Sequence, residues 1–466
     1  MMEIMLWSLI AILGGLGLII PTIDYVKGTR TGPYLALLAT LLATLINLLM
    51  MGKNGTLFDG SLRVDPLSTY ISIIASLGAF LVVLASLSQA KDWNTSPSLY
   101  SLILLSLLGV YFILYVNDVS VLIAGWALVA VASYAIVGMR KDYNSLESSA
   151  KYALMGVTSS SLMVLGLALV TGTIRTSSLS LSGNLPTNSS LLVLGILILV
   201  AAFGFKMGVV PFQGWLPDVY GGAHPLLVSF VSGVIKLISI GAFIRVLQPL
   251  IPLTGDYWFV AMAVLSIATM FYGNLAALVQ KNVQRMMAYS SIAQAGYFLV
   301  AFAALSSAAS KQIALQGIGL HVTTYVLAKV GIFIGLSYMA RKGFDLTLDG
   351  LSGAGRKMKL SGFMFAILLF SLMGMPPLIG FWSKFMYIFY SVMELAPWLA
   401  FIGIVNSGIS VGYYALVLKY MYFANPPEIK AEESSRDPEL YVLLITGIMT
   451  VILGLGLAGY LAMLII

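Results

Sequence analysis

Long apolar runs alternate with short polar turns along the whole chain. A membrane-spanning helix needs about 20 mostly apolar residues. By that measure the pattern predicts 14 spanning helices, over residues 4–22, 33–51, 67–88, 99–116, 118–138, 149–172, 190–210, 224–247, 257–280, 286–306, 313–340, 361–391, 396–423 and 440–464. The longest polar stretches, 341–360 and 424–439, are too short to hold a soluble domain, so a single membrane domain over 1–466 is expected. The Met-Met-Glu-Ile start has no basic stretch before its apolar run, which reads as a retained first helix and not as a cleaved signal. The fold class is an all-α membrane protein.

Composition sharpens this. Only 9% of the 466 residues are charged and 59% are hydrophobic, against about 25% charged in a soluble domain. A water-soluble enzyme, a nucleic-acid binder and a disordered chain are excluded. The net charge of +7 comes from basic residues that cluster by loop: 16 follow odd-numbered segments, down to Lys430 and Arg436, and 5 lie on the other side. Basic residues stay on the cytoplasmic side, so both termini are expected to face outward. Absence of cysteine removes disulfides, thiolate zinc sites and cysteine-ligated iron–sulfur clusters from this chain. With only His224 and His321, a histidine-built metal centre is also out of reach. Any redox chemistry must sit on partners.

Apart from Lys151, Arg245 and Lys419, counted with the adjoining loops, four basic residues fall inside apolar segments: Lys206, Lys236, Lys329 and Lys384. An ammonium at the centre of a membrane helix costs about 2.5–3.5 kcal/mol on insertion scales. Lys236 and Lys329 lie too deep in their segments to lift their charge to the interface. Lys206 and Lys384 lie near helix interruptions, where such snorkelling is an alternative. A desolvated lysine can exchange its proton near neutral pH, so the set suggests a hydrated charge pathway.

Two of the segments are broken. Lys206 precedes Pro211-Phe-Gln-Gly214-Trp-Leu-Pro217-Asp218, and Pro376-Pro377-Leu-Ile-Gly380-Phe-Trp-Ser precedes Lys384. Proline removes a backbone donor and ends a helix, and broken backbone at membrane depth is tolerated only in protein or against a watery cavity. The breaks lie five segments apart, which places two copies in opposite orientation and predicts an inverted repeat. Flanking helices would occupy 1–98, the first repeat (segments 4–8) 99–247, the second (segments 9–13) 257–423, and a last flanking helix 440–464.

These residues resemble the antiporter-like subunits of respiratory complex I, membrane-bound hydrogenases and Mrp-type cation/proton antiporters. The resemblance runs from about segment 4 to segment 13. It rests on Ser145-Leu-Glu147-Ser-Ser-Ala-Lys151-Tyr, on Phe205-Lys206 through Pro211 and Pro217-Asp218-Val-Tyr220, on Arg285-Met-Met-Ala-Tyr289-Ser-Ser-Ile-Ala-Gln294-Ala-Gly296-Tyr, and on Pro377-Leu-Ile-Gly380-Phe-Trp-Ser-Lys384. The Leu-Glu-x-x-x-Lys-Tyr and Pro-Asp-Val-Tyr wording is most similar to the N-type subunit of NADH-quinone oxidoreductase, without the long lateral helix of the largest type. The resemblance implies a proton-loading role for Lys206, a bridging role for Lys236, a terminal role for Lys384, and further sites at His321 and Lys329. It also implies a glutamate in segment 5 paired with the first lysine. Aligning on Gly125-Trp-Ala127-Leu puts Ala127 there. Either Glu147 or a partner's carboxylate then takes over, or the chain is a non-pumping scaffold.

By the same resemblance the chain is a subunit of a redox-driven proton pump in a prokaryotic cell membrane. Iron–sulfur, flavin or nickel–iron centres and quinone would be carried by partner subunits and a peripheral redox arm. The alternative is a subunit of a multi-subunit sodium/proton antiporter. Among lesser features, His224 reads as interfacial, Gln294 as a possible water holder, and the acidic stretch 428–439 as a solvated loop. Trp7, Trp93, Trp258 and Trp398 read as interface anchors.

Overall fold

The computed structural model describes residues 2–28, 30–181, 189–425 and 431–466. Lys430 and the start of the acidic stretch at Glu428 lie outside them. Each apolar run becomes a helix: α1 (Met2–Val26), α2 (Gly32–Met50), α3 (Pro66–Ser86), α4 (Ser96–Leu114), α5 (Val119–Val137), α6 (Tyr143–Ile174), α7 (Ser190–Met207), α8 (Pro225–Leu253), α9 (Tyr257–Leu278), α10 (Val283–Ala304), α11 (Ala308–Arg341), α12 (Lys359–Met373), α13 (Pro397–Phe423) and α14 (Pro438–Leu464). Among the described residues 13 of these are long enough to cross a membrane, and α12 is not. The predicted segment 361–391 is divided by its prolines into α12 and a restart at Ile379–Phe381, continued by a π-helical stretch over Trp382–Phe389.

Polar turn residues set the helix starts. The side chains of Asp65, Asp118, Asp142 and Asn282 accept from the backbone N–H of Ser68, Ser120, Ser145 and Arg285 at 2.8–2.9 Å, which satisfies donors the first turn leaves free. One piece is not helical. Strands β1 (Gly55–Leu57) and β2 (Leu62–Val64) form an antiparallel hairpin between α2 and α3. Phe58, Asp59 and Gly60 take left-handed backbone in its turn, and runs of three residues are too short for alternation to show in the sequence.

The helices differ in burial. α8, α10 and α11 are enclosed along almost their whole length, whereas α1, α6, α9 and α13 show apolar faces outward. α11 packs against α3, α8, α10, α12 and α14 and forms the axis of the bundle. Arg245, in the C-terminal part of α8 and buried, ties this centre to the hairpin. Its guanidinium donates to Asp65 at 2.5 Å, to the Leu114 carbonyl at 2.7 Å and to the Arg63 carbonyl at 2.8 Å, and also reaches Ser68.

Two expectations are corrected. Trp258 is not an interface anchor: it is buried and its Nε1 donates to the Phe302 carbonyl at 2.7 Å. The end of the acidic stretch is not solvated either. Asp437 and Glu439 are buried and pair with Arg341 at 2.6 and 3.0 Å, with Lys342 2.8 Å from Asp437. They are the counter-ions that a long helix needs where its cationic end meets α14.

Burial alone would raise the Asp437 carboxyl. Hydrogen bonds from Lys342, Arg341 and Tyr338 outweigh it and hold the group well below the usual carboxylate range. A depressed folded value stabilises the fold above the unfolded pKa of about 3.9 and loses that contribution as pH falls towards the folded value. Resistance of the α11–α14 junction to proteolysis should therefore be flat from about pH 5 upward and decline in acid, and Asp437→Asn should remove that acid-side decline.

Candidate functional site

The four lysines lie in the enclosed part of the bundle, each with at most 3% of its surface exposed. Snorkelling therefore does not describe Lys206 or Lys384. Each is instead placed by a feature of its own helix. Lys206 occupies the last turn of α7, which Gly208 ends in left-handed backbone (φ 82°); a cation there meets the negative end of the helix dipole. Pro211 lies in the break that follows. Pro217 does not: it sits in the first turn of the restart Trp215–Gly222, where a missing N–H costs nothing.

Lys236 follows a π-helical turn, Val231–Ile235, in α8, and its Nζ donates to the Ser291 carbonyl of α10 at 2.7 Å. Lys329 extends from the middle of α11 to the Met287 carbonyl at 2.9 Å and the Ser290 hydroxyl at 2.8 Å. Lys384 uses the second break. α12 stops at Met373, with Pro376 and Pro377 beyond it, so its last carbonyls lack helical partners. The Lys384 ammonium donates to the Leu372 carbonyl at 2.5 Å and lies 3.5 Å from Ser407 Oγ.

Three of these ammonium groups belong to one network. Lys236 and Lys329 share the Tyr325 ring, at 5.2 and 6.0 Å from its centroid. From Lys329 the path runs through Ser290 to the Tyr414 hydroxyl (2.5 Å) and the adjoining Tyr413 ring. Tyr413 donates to Asn274 Oδ1 at 3.2 Å, and Asn274 Nδ2 lies 3.4 Å from the Tyr297 hydroxyl. Lys384 sits 4.4 Å from the Tyr297 ring centre, which closes the chain. His321 stands beside it, its Nδ1 3.1 Å from Ser383, the residue before Lys384. Gln294 reaches the same Leu372 carbonyl at 3.5 Å.

Lys206 stands apart from this network, against the Tyr134 and Tyr152 rings at 4.8 and 4.4 Å from their centres. Glu147 is not brought to it. Glu147 is half-exposed at the start of α6 and pairs with Lys151 at 2.9 Å, while Lys151 and Arg285 together hold Asp218. Ala127 faces outward from α5. His224 caps α8 and meets the Trp93 ring edge-on, away from the lysines.

Tyr297, Tyr325, Tyr413, Tyr414 and Asn274 escaped the sequence reading. Asn274, a polar group within the last third of an apolar segment, is the one signal among them.

The second break depends on Gly380. A Cβ at that position would overlap the Ser371 carbonyl of α12. Gly380→Val should push the restart away from α12 and withdraw Lys384, at a cost of about 3 kcal/mol. Heating the purified protein in detergent would show the loss as a lower unfolding temperature.

Comparison with known proteins matches this architecture. Residues 116–410 match the family described as NADH:quinone oxidoreductase/Mrp antiporter, TM. The chain is 34% identical to F(420)H(2) dehydrogenase subunit N of Methanosarcina mazei, over 86% of this chain and 85% of that one. It is 33% identical to NADH-quinone oxidoreductase subunit N of Desulforamulus reducens, over 94% and 91%. Among solved structures, a chain of respiratory complex I from Thermus thermophilus superposes with a TM-score of 0.83 at 28% identity, covering 97% of this chain and 98% of that one. A chain of the membrane-bound sulfane sulfur reductase, an archaeal respiratory complex, shares the fold at 22% identity, with a TM-score of 0.88 over 98% and 96%. With well over half its length in the family match and the two relatives just named, each above 30% identity, being N subunits, the chain belongs to the NADH:quinone oxidoreductase/Mrp antiporter family of membrane subunits, and within it to the N-type.

Proposed function

We propose that this chain is a proton-translocating, antiporter-like subunit of a redox-driven complex in a prokaryotic membrane. The observation that carries the reading is the buried network itself: Lys236, Lys329 and Lys384 joined at membrane depth through Ser290, Tyr325, Tyr414, Tyr413, Asn274 and Tyr297. Three ammonium groups in an apolar bundle cost too much to be retained for packing alone. Hydroxyls and an amide between them supply groups that both donate and accept hydrogen bonds.

Lys206 is the loading site on the side of the first break and Lys384 the terminal site at the second, with His321 beside it. The two broken helices support an inverted pair of repeats over 99–247 and 257–423. The basic loops support an inner face that carries Lys151, Arg285 and Arg341, with both termini outside. Electron transfer belongs to partner subunits that hold iron–sulfur, flavin or nickel–iron centres and quinone. Glu147, paired at the surface, has no part in the buried pathway.

Purification of the native complex in mild detergent through a tag on this chain, followed by mass spectrometry, tests the reading. Co-purifying subunits with flavin, nickel or cysteine-ligated clusters are the expected result. Recovery of small hydrophobic subunits alone, with no redox protein, would overturn it in favour of a sodium/proton antiporter.

A further inference from the structure

The Lys206 ammonium is buried and, among the described residues, has no hydrogen-bond partner. An unpaired buried charge is among the most costly features a fold can contain. Two aromatic faces are what the structure puts against it. Tyr134 comes from α5 and Tyr152 from α6, with their rings edge-to-face at 4.7 Å. Neither ring is there by accident of packing.

Tyr152 lies flat against Trp215, centroids 4.7 Å apart and planes within 10°. Trp215 is itself fixed by a 2.9 Å hydrogen bond from Nε1 to the Phe205 carbonyl, the residue before the lysine. Tyr134 occupies a space that Gly156 leaves open on α6, since a Cβ at Gly156 would overlap the tyrosine hydroxyl. So α5, α6 and the restart after the first break all converge on one ammonium, and none brings it a carboxylate.

We propose that Tyr134 and Tyr152 form an aromatic cage that holds Lys206 in its charged form. The inference rests on the reading of Lys206 as a proton-loading site and adds positioning residues to it. A ring face attracts a cation through its quadrupole, and the attraction is strongest where water is excluded. Unlike a carboxylate, a ring cannot take the proton. The cage therefore stabilises the loaded lysine without competing for its proton, and the trigger for release has to come from a charge or movement outside the cage.

The test keeps ring size fixed and drains the ring of its quadrupole. In the intact complex, position 152 is filled by phenylalanine and then by mono-, di- and trifluorophenylalanine. Protons translocated per electron pair are measured in proteoliposomes beside Lys206→Met. The expected result is a stepwise fall across the series towards the Lys206→Met value, the share of protons that Lys206→Met loses shrinking about threefold between Tyr152→Phe and the trifluoro member. Gly156→Ala, which displaces Tyr134 without touching the lysine, should fall in the same direction. A flat fluorinated series beside an impaired Lys206→Met overturns the cage and leaves the loading site standing. A Lys206→Met variant that pumps like the native complex overturns the loading site, and the cage with it.

Discussion

Lys329→Met is expected to interrupt proton transfer between Lys236 and Lys384 while leaving the fold intact. Lys329 is the link that shares Tyr325 with Lys236 and reaches Tyr414 through Ser290. Methionine fills a similar volume and carries no proton, so the path ends at the Ser290 hydroxyl. Removal of a positioned proton carrier slows a transfer by on the order of a hundredfold or more. The number of protons moved per electron pair by the intact complex in proteoliposomes should fall by the whole share this chain contributes.

The stability readout should move the other way. The ammonium costs about 2.5–3.5 kcal/mol at membrane mid-depth, so the variant should unfold at the native temperature or above it. A structural lysine would show the reverse: lower thermal stability with unchanged proton stoichiometry. That result would remove Lys329 from the pathway.

Arg245→Leu should have the largest effect on the fold. The guanidinium joins Asp65, Ser68 and the carbonyls of Arg63 and Leu114, which belong to the hairpin, α3 and the end of α4. Burial tends to raise the Asp65 carboxyl, but Arg245 and the Ser68 hydrogen bonds keep it low and charged. Leucine would leave that carboxylate with only the half-exposed Arg63 guanidinium, 3.8 Å away, and the closer, buried partner lost, at a cost of about 3 kcal/mol. The chain should then be depleted from the assembled complex, with Arg63 in the hairpin cut early by trypsin. Arg245→Lys should recover only part, because a single ammonium cannot reproduce a planar fork that serves several acceptors. Adding Asp65→Asn to Arg245→Leu should recover part as well, since it removes the stranded charge. Native abundance and melting of Arg245→Leu would show that the hairpin is held by something else.

Much of this was legible in the sequence because bilayers tolerate so few exceptions. Fourteen apolar runs gave fourteen helices with boundaries shifted by a few residues, and Pro376-Pro377 announced that one of them would stop short. The lysines stood out for the same reason: a cation in an apolar run has no cheap explanation. Their surroundings did not stand out. Tyr134, Tyr152, Tyr297 and Tyr325 are four of 24 tyrosines in the chain, and nothing in their spacing separates a ring that faces an ammonium from one that fills a gap. The π-helical turns that aim Lys236 and Lys384 arise from packing between helices and leave no local mark. Asp437 and Glu439 misled for a related reason. A charged stretch beside prolines has the composition of a solvated loop, and only the arrival of Arg341 and Lys342 from a helix about a hundred residues earlier makes it an interior ion cluster.

α11 has 34 residues, or about 51 Å of helix, against a hydrocarbon layer of about 30 Å. An exposed helix of that length would lean until its apolar span matched the lipid tails. α11 meets no lipid, because α3, α8, α10, α12 and α14 surround it. Its tilt is set by those neighbours and not by the bilayer. Acyl-chain length should therefore change how the outer helices α1, α6, α9 and α13 sit, and leave the spacing between the lysines of α8 and α11 unchanged. A pathway insulated in this way can keep one geometry in membranes of different thickness, including those that cells remodel as growth temperature changes.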